Sequence, residues 1–548
     1  MLQSNKLAQF VTLIVLDGWG VAQPNPGNAI AQAAPPNFNK FWSAYPHTTL
    51  SASGEAVGLP RGEPGNTETG HLNLGAGRIV YQDLPRINLS IANGSFFKNP
   101  ILMGAIEHAE ENNSNLHLMG LIGDGGVHSN AEHLFALLSL AKNENFKRVF
   151  LHIFTDGRDS PPTSAVNYIE QVENELRNQG VGKIASIQGR YWAMDRDFRW
   201  ERTAKAYFAL TQGAGDKAKS ATQAIELSYK NGRTDEFIEP TIIVDEHDQP
   251  ISLICDNDSV IFFNFRIDRP RQLTKAFVLP DFETQAQKEW DFDPYLVKYY
   301  KKHLAHIPQR PVFERGKQLT NLYFVTMTEY QKSLPVRVAF SPEVIGLSLG
   351  RTLSNNGIRQ LRVAESEKER FIGFYFNGQL EQRFDGEERM IIPSTNVPTY
   401  DKKPEMSAFE MTQAVLTEIR STAQPYGFIL INFANLDMVG HTGNIQAAKK
   451  ACLAVDKCIG EIVQAVQGIG GAVLITGDHG NAEQMIDESG RPRTEHSTNP
   501  VPFLICGETF IGQNKNLLSG ILADVAPTVL YILGIAKPVE MTGRNLLA

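Results

Sequence analysis

Late in the chain, three short stretches gather carboxylates and imidazoles at spacings that suit metal chemistry. Asp437-Met-Val-Gly-His441 sets an acid and an imidazole four residues apart, next to glycines that permit a tight loop. Asp478 and His479 are adjacent, and His496 follows in Glu495-His496-Ser497-Thr498-Asn499-Pro500. Near the amino terminus Asp17 adds another carboxylate. Singly, an aspartate after a strand is more simply a helix cap, and a histidine more simply a hydrogen-bonded imidazole. As a set of three aspartates and three histidines amid glycines, they can hold two divalent cations. Mixed carboxylate and imidazole ligands suit zinc or manganese better than calcium. Two cations at one centre stabilise both the attacking and the leaving oxygen of an in-line displacement at phosphorus.

Such a displacement needs a nucleophile and a grip on an anion. Gly65-Asn66-Thr67-Glu68-Thr69-Gly70-His71 offers a hydroxyl at Thr67, with Thr69 as a competing candidate and a plain helix cap as the simpler reading. The middle of the chain offers Arg158, Arg190, Arg196, Arg266 and Arg269 together with His128. Guanidinium forks bind phosphate and carboxylate bidentately, so this group suits a small substrate with several negative charges, although surface ion pairs explain any single arginine. Asp159, between arginines, suits proton transfer with a substrate hydroxyl. Lys368 in Ala364-Glu365-Ser366-Glu367-Lys368 can lean on a transferring phosphoryl group, or be a solvated lysine in a charge run.

The elements that must carry these groups are legible as short apolar, β-rich runs alternating with helical periodicity, which predicts α/β architecture with mainly parallel sheets. Strands are expected at residues 11–16, 116–122, 149–154, 184–188, 260–264, 428–433 and 472–476, and an amphipathic helix over 445–466. Ligands of open α/β sheets sit beyond the carboxyl ends of the strands. The metal-type residues follow strands near the two ends of the chain. Asp124, His128, Asp156 and the arginines follow strands in its middle. The expected plan is therefore a discontinuous metal-binding domain, residues 1–79 and 317–548, with a substrate-binding domain of residues 85–307 inserted. Residues 80–84 and 308–316 would be the linkers, and the two domains would close around a shared substrate.

Composition narrows the partners. Of 548 residues, 42% are hydrophobic and 20% charged, enough apolar content for several sizeable cores. A formal net charge of -8 gives no general attraction to nucleic acid or anionic membrane. Cysteines at 255, 452, 458 and 506 form no CxxC pair, so buried free thiols in a reducing compartment are expected. No leader pattern or membrane-length apolar run is present, and a cytoplasmic monomer is expected.

Read in order, the motifs resemble those of the cofactor-independent phosphoglycerate mutases, a branch of the alkaline phosphatase-like metalloenzymes. They are LDGWG at 16–20, GNTETGHLNLGAGR at 65–78, DGGVHS at 124–129, DGRD at 156–159 and GRYWAMDRD at 189–197. They continue with FNFRIDR at 263–269, TMTEY at 326–330, AESEK at 364–368, NLDMVGHTG at 435–443, TGDHGNAE at 476–483 and HSTNPVP at 496–502. The resemblance implies two cations, typically Mn2+, one on Asp437, His441 and His496, the other on Asp17, Asp478, His479 and the nucleophile. It implies that His128, Arg158, Asp159, Arg190, Arg196, Arg266, Arg269 and Lys368 handle a phosphoglycerate. The implied reaction interconverts 3- and 2-phosphoglycerate through a phosphoenzyme, without added bisphosphoglycerate. A phosphomonoesterase, or a mutase of another small phosphorylated acid, is the alternative on the same scaffold. Three positions depart from the pattern: Thr67 stands where the family has serine, and Gly123 and Asn130 where it usually has Ser and His.

Overall fold

The computed structural model describes residues 6–286, 311–421, 425–513 and 517–548. The chain forms two compact units, one of residues 1–85 and 343–548 and one of residues 86–342. Strands in chain order begin with β1 (Val11–Leu16), β2 (His47–Ser51), β3 (Leu116–Ile122), β4 (Val149–Thr155) and β5 (Lys183–Gly189). Then come β6 (Asp216–Ala218), β7 (Thr241–Ile243), β8 (Ser259–Phe262), β9 (Tyr323–Thr328) and β10 (Arg337–Phe340). The last are β11 (Gln360–Glu365), β12 (Glu387–Ile392), β13 (Phe428–Phe433), β14 (Ala472–Gly477), β15 (Val501–Cys506) and β16 (Gly520–Ile521).

In the discontinuous unit the sheet runs β12-β11-β13-β1-β14-β15-β2-β16. Its five strands from β12 to β14 are parallel, and β15 runs antiparallel to both β14 and β2. Strands β1, β13 and β14 are buried along their whole length, as their unbroken apolar runs require of a sheet covered on both faces. Each buried Val, Leu or Ile there contributes about 1.5–3 kcal/mol of transfer free energy. Helix Ile445–Gly468 covers one face with Ala451, Cys452, Val455, Ile459, Ile462 and Val466 turned inward, the helical periodicity expected of it.

The register decides what this sheet presents at its edge. Leu16 lies level with Phe433 on one side and Gly477 on the other, so three neighbouring parallel strands end together. The chain leaving them carries Asp17, Asp437 and Asp478.

The second unit has the sheet order β10-β9-β8-β3-β4-β5-β7-β6, parallel except between β5 and β7. Trp200, Tyr207, Phe262, Phe277 and Phe282 build its aromatic core. From the middle of β5 and β4 to the amino ends of β3 and β8 a hydrogen-bonded line crosses the sheet. His152 Nδ1 meets Ser186 Oγ at 2.8 Å, His152 Nε2 meets His117 Nδ1 at 2.9 Å, and His117 Nε2 meets Asp258 Oδ2 at 3.1 Å. Burial and the neighbouring His117 hold His152 well below the ordinary imidazole range, so these histidines serve the core.

Two expectations need correction. The second unit does not stop before a linker at 308–316, because β9 pairs with β8 and β10 with β9, which carries it to Pro342. Residues 287–310, including the first part of that linker, lie outside the described residues. Cys452, Cys458 and Cys506 are buried free thiols, but Cys255 is exposed.

Candidate functional site

In the discontinuous unit the strand ends bring Asp17, Asp437, Asp478, His441, His479 and His496 into overlapping clusters. Asp437, His441 and His496 form one group of potential ligands, and Asp17, Asp437 and His479 another. The short helix Asn435–Gly440 delivers Asp437 and places His441 one turn beyond it. His441 Nε2 and His496 Nε2 stand 3.2 and 3.1 Å from Asp437 Oδ1 and 3.1 Å from each other.

The far nitrogens explain why these rings face inward as acceptors. His441 Nδ1 donates to Thr494 O at 2.7 Å, His496 Nδ1 to Gly65 O at 2.8 Å and His479 Nδ1 to Gly480 O at 3.3 Å. A carbonyl on each Nδ1 fixes the proton there and leaves the Nε2 lone pair for the centre. Atoms that accept therefore face one another. Asp478 Oδ2 is buried and has no hydrogen-bond partner. A divalent cation relieves such an arrangement at every atom at once, whereas a proton serves one pair only. The donor set fits metal.

The electrostatics agree. Burial disfavours charge on Asp17, yet Lys368 beside it holds the carboxyl at about 2. Asp437 also lies well below its ordinary value, burial again being outweighed by Lys368 and by the neighbouring His441 and His496 rings. Burial opposes protonation of His479, but Asp478, Asp17 and Asp437 push it up to about 10. The surrounding carboxylates thus favour positive charge at His479 Nε2, a proton or a cation in its place.

Thr67 is the first residue of helix Thr67–Ala76, whose cap is Asn66. Its Oγ1 lies 3.3 Å from Asp17 Oδ1 and 3.1 Å from His479 Nε2. Thr69, the competing hydroxyl, bonds back to Asn66 and belongs to the cap. Lys368 is buried, not solvated. Its ammonium donates to Asp437 Oδ2 at 2.7 Å, Asp17 Oδ1 at 2.9 Å and Thr67 Oγ1 at 3.0 Å.

Sequence reasoning assigned no role to His71 or Asn432. One helical turn after Thr67, His71 Nδ1 sits 3.0 Å from Thr67 O and 3.3 Å from Asp478 Oδ2. Asn432 Nδ2 donates to Asp17 Oδ2 at 2.8 Å and to His71 Nε2 at 3.0 Å. With Nε2 accepting from the amide, the His71 proton lies on Nδ1, so this ring orients the ligands around it. The spacing Thr67-x-x-x-His71 on one helix face was the available signal.

The second unit gathers the arginine set. Arg190 Nη1 reaches both Asp156 Oδ1 and Asp159 Oδ2 at 2.5 Å. Asp268 accepts from Arg196 at 2.7 Å and Arg266 at 3.1 Å. His128 Nε2 lies 3.5 Å from Asp159 Oδ2, beside a crevice lined by Gly123, Gly125, Gly126, Asp156 and Asp159. Burial and the Arg190 guanidinium push His128 down to about 3. Asp159 stays below its ordinary value because Arg190 outweighs burial. Arg158 stands apart, largely exposed and 3.5 Å from Glu236. Arg269 pairs with no carboxylate among the described residues and donates to Met194 O at 3.2 Å. Burial, Arg196 and Arg190 bring it down to about 10.

Two departures in this unit have local explanations. A Cβ at Gly123 would meet Ser160 Oγ at 2.5 Å, so Ser160 fills the space a side chain there would take. Asn130 caps helix Ala131–Asn143 by accepting from Glu132 N at 2.9 Å. Nothing in the structure explains why position 67 carries threonine.

Comparison with known proteins supplies the family. Residues 87–332 match the model of the BPG-independent PGAM N-terminus. The chain is 50% identical to the 2,3-bisphosphoglycerate-independent phosphoglycerate mutase of Desulforudis audaxviator, over 98% of this chain and 99% of that one. It is 48% identical to the Methanosarcina barkeri protein named 2,3-bisphosphoglycerate-independent phosphoglycerate mutase 1, over the full length of both. Among solved structures, a Leishmania mexicana phosphoglycerate mutase at low cobalt concentration aligns with TM-score 0.53 and 28% identity, covering 98% of each chain. With half its residues shared along the whole length of such relatives, the chain belongs to the 2,3-bisphosphoglycerate-independent phosphoglycerate mutases, a family of isomerases.

Proposed function

We propose that the chain interconverts 3-phosphoglycerate and 2-phosphoglycerate through a phosphothreonine at Thr67, on a centre of two divalent cations. Asp437, His441 and His496 would hold one cation, and Asp17, Asp478, His479 and the Thr67 hydroxyl the other, with manganese suited to the mixed donor set. When bound, the cations neutralise phosphoryl oxygens and lower the pKa of a coordinated hydroxyl. The observation that carries the reading is the setting of Thr67 Oγ1, within 3.3 Å of Asp17, His479 and Lys368 at a helix amino terminus.

Thr67 acts as the alkoxide, favoured by the hydrogen bond from Lys368. Its Oγ1 forms a bond to phosphorus as the bond from phosphorus to the substrate's 3-oxygen breaks. Asp159, ionised at rest, takes the proton of the 2-hydroxyl and passes it to the departing 3-oxygen. The glycerate turns without leaving. Its 2-oxygen then attacks the phosphothreonine, and Thr67 is released as it entered. His128, Arg158, Arg190, Arg196, Arg266 and Arg269 would hold the substrate's carboxylate and phosphate against its own charge. The protein is read as acting as a monomer.

The test is direct. Purified protein with Mn2+ and 3-phosphoglycerate, but no bisphosphoglycerate, should yield 2-phosphoglycerate, and acid quenching should trap label on Thr67. Thr67→Ala should abolish both, while Thr67→Ser should keep both. Undiminished turnover in Thr67→Ala would overturn the nucleophile. Release of inorganic phosphate in place of 2-phosphoglycerate would make the chain a phosphatase.

A further inference from the structure

The ligands of the metal centre come from chain segments far apart in sequence, and something must hold those segments in register. Glu483 is fully buried two residues beyond Asn481, on the turn that follows β14. Its Oε2 accepts from Asn481 N at 2.8 Å and from Gly20 N at 3.1 Å. Its Oε1 accepts from Asn499 Nδ2 at 3.0 Å and from Ser497 Oγ. These four donors match the four acceptor sites of a carboxylate, and among the described residues no cation pairs with it.

What the donors neighbour gives the carboxylate its meaning. Gly20 lies three residues after Asp17, Asn481 two after His479, and Ser497 directly after His496. One side chain therefore ties together the three loops that present Asp17, His479 and His496. The backbone is shaped to admit it. A Cβ at Gly20 would sit 2.2 Å from Glu483 Cδ, and a Cβ at Gly480 2.5 Å from Oε1. Those two glycines are needed for close approach, not for an unusual φ.

We infer that Glu483 is the positioning residue of the metal centre, fixing the distances among ligands of both cation sites without touching either cation. This rests on the metal-binding reading above. A glutamine has the same shape but cannot replace it. Whichever way the amide turns, its NH2 group faces two donors, so two hydrogen bonds are lost. Aspartate keeps the charge on a shorter stem.

The experiment is Mn2+ titration by calorimetry of metal-stripped parent, Glu483→Gln, Glu483→Asp and Ser497→Ala, with the melting temperature of each stripped protein. Glu483→Gln should bind Mn2+ about 10- to 100-fold more weakly, with Glu483→Asp between it and the parent. Activity of Glu483→Gln should recover at high Mn2+, with KM for 3-phosphoglycerate near that of the parent. Ser497→Ala removes a single donor and should weaken binding severalfold, which keeps the test open if Glu483→Gln does not fold. Unchanged Mn2+ affinity in the folded variants, with only a lowered melting temperature, would reduce Glu483 to a structural residue and overturn the inference. Absence of saturable Mn2+ binding by the parent would instead overturn the metal reading, and the inference with it.

Discussion

The two charged clusters of this molecule solve opposite problems. In the discontinuous unit three histidine Nε2 atoms and three carboxylates converge, with Lys368 donating to Asp17 and Asp437 among them. In the other unit the charges are already matched. Arg190 is clasped by Asp156 and Asp159, and Arg196 and Arg266 share Asp268. The first cluster is built around positive charge it lacks. The second is a frame in which acids hold guanidinium groups in place, the set proposed above to receive an anion. Arg269 is the exception within that frame, half-buried near other cations with a carbonyl as its partner. The two clusters thus differ in whether the protein completes its own charge pairs.

The largest effect should come from removing metal. Chelation should lower activity by about three orders of magnitude or more, the scale set by losing an electrostatic stabiliser of the transition state. Mn2+ should restore it. At roughly a thousandfold above its dissociation constant, Mn2+ should also add about 4 kcal/mol of stability, read as a raised melting temperature. A stripped protein that keeps its activity would end the contrast between the clusters.

The arginines of the second unit test the contrast from the other side. Arg190→Ala leaves the buried Asp156 carboxylate without its cation, and should lower stability by about 3–5 kcal/mol. Arg269→Ala abandons no carboxylate. It should change stability by about 1 kcal/mol or less, while kcat/KM falls roughly 10- to 150-fold, the worth of a lost charge-assisted contact. Chemical denaturation beside steady-state kinetics separates the two variants. Equal destabilisation would mean that Arg269 is as much a part of the frame as Arg190.

Much of this was legible because metal chemistry writes itself locally. Asp437 and His441 share one helical turn, Asp478 and His479 are adjacent, and their strands are unbroken apolar runs. What escaped depends on partners distant in sequence. Glu483 reads as the tail of a motif, yet its donors lie at Gly20, Ser497 and Asn499. Lys368 sits in an acidic, basic, apparently solvated run, and only the fold buries it between Asp17 and Asp437. The boundary at 342 escaped for another reason. Strands β9 and β10 carry none of the candidate ligands, so chemistry could not assign them to a sheet, and pairing with β8 did.

The effect most confined to one range of pH lies at the end of β11, where one carboxyl behaves unlike Asp17 and Asp437. Glu365 is fully buried at the end of β11, and its Oε2 has no hydrogen-bond partner. Burial raises it from 4.5 to about 7, against a hydrogen bond from Ser407 N. Asp17 and Asp437 are ionised because Lys368 stands between them, whereas the pull of Lys403 on Glu365 is outweighed by burial. The sign follows from proton binding. Between pH 4.5 and about 7 the folded chain holds a proton that the unfolded chain has released, so stability falls as pH rises through that window and levels off above it. The loss amounts to about 3 kcal/mol. Glu365→Gln keeps the shape and removes the titration. The variant's stability relative to the parent should therefore grow by about 3 kcal/mol from pH 4.5 to 7, measured by urea denaturation at each pH. Parallel stability curves would show that Glu365 is ionised at neutral pH, and that the negative field of the metal centre extends one carboxylate further than its ligands.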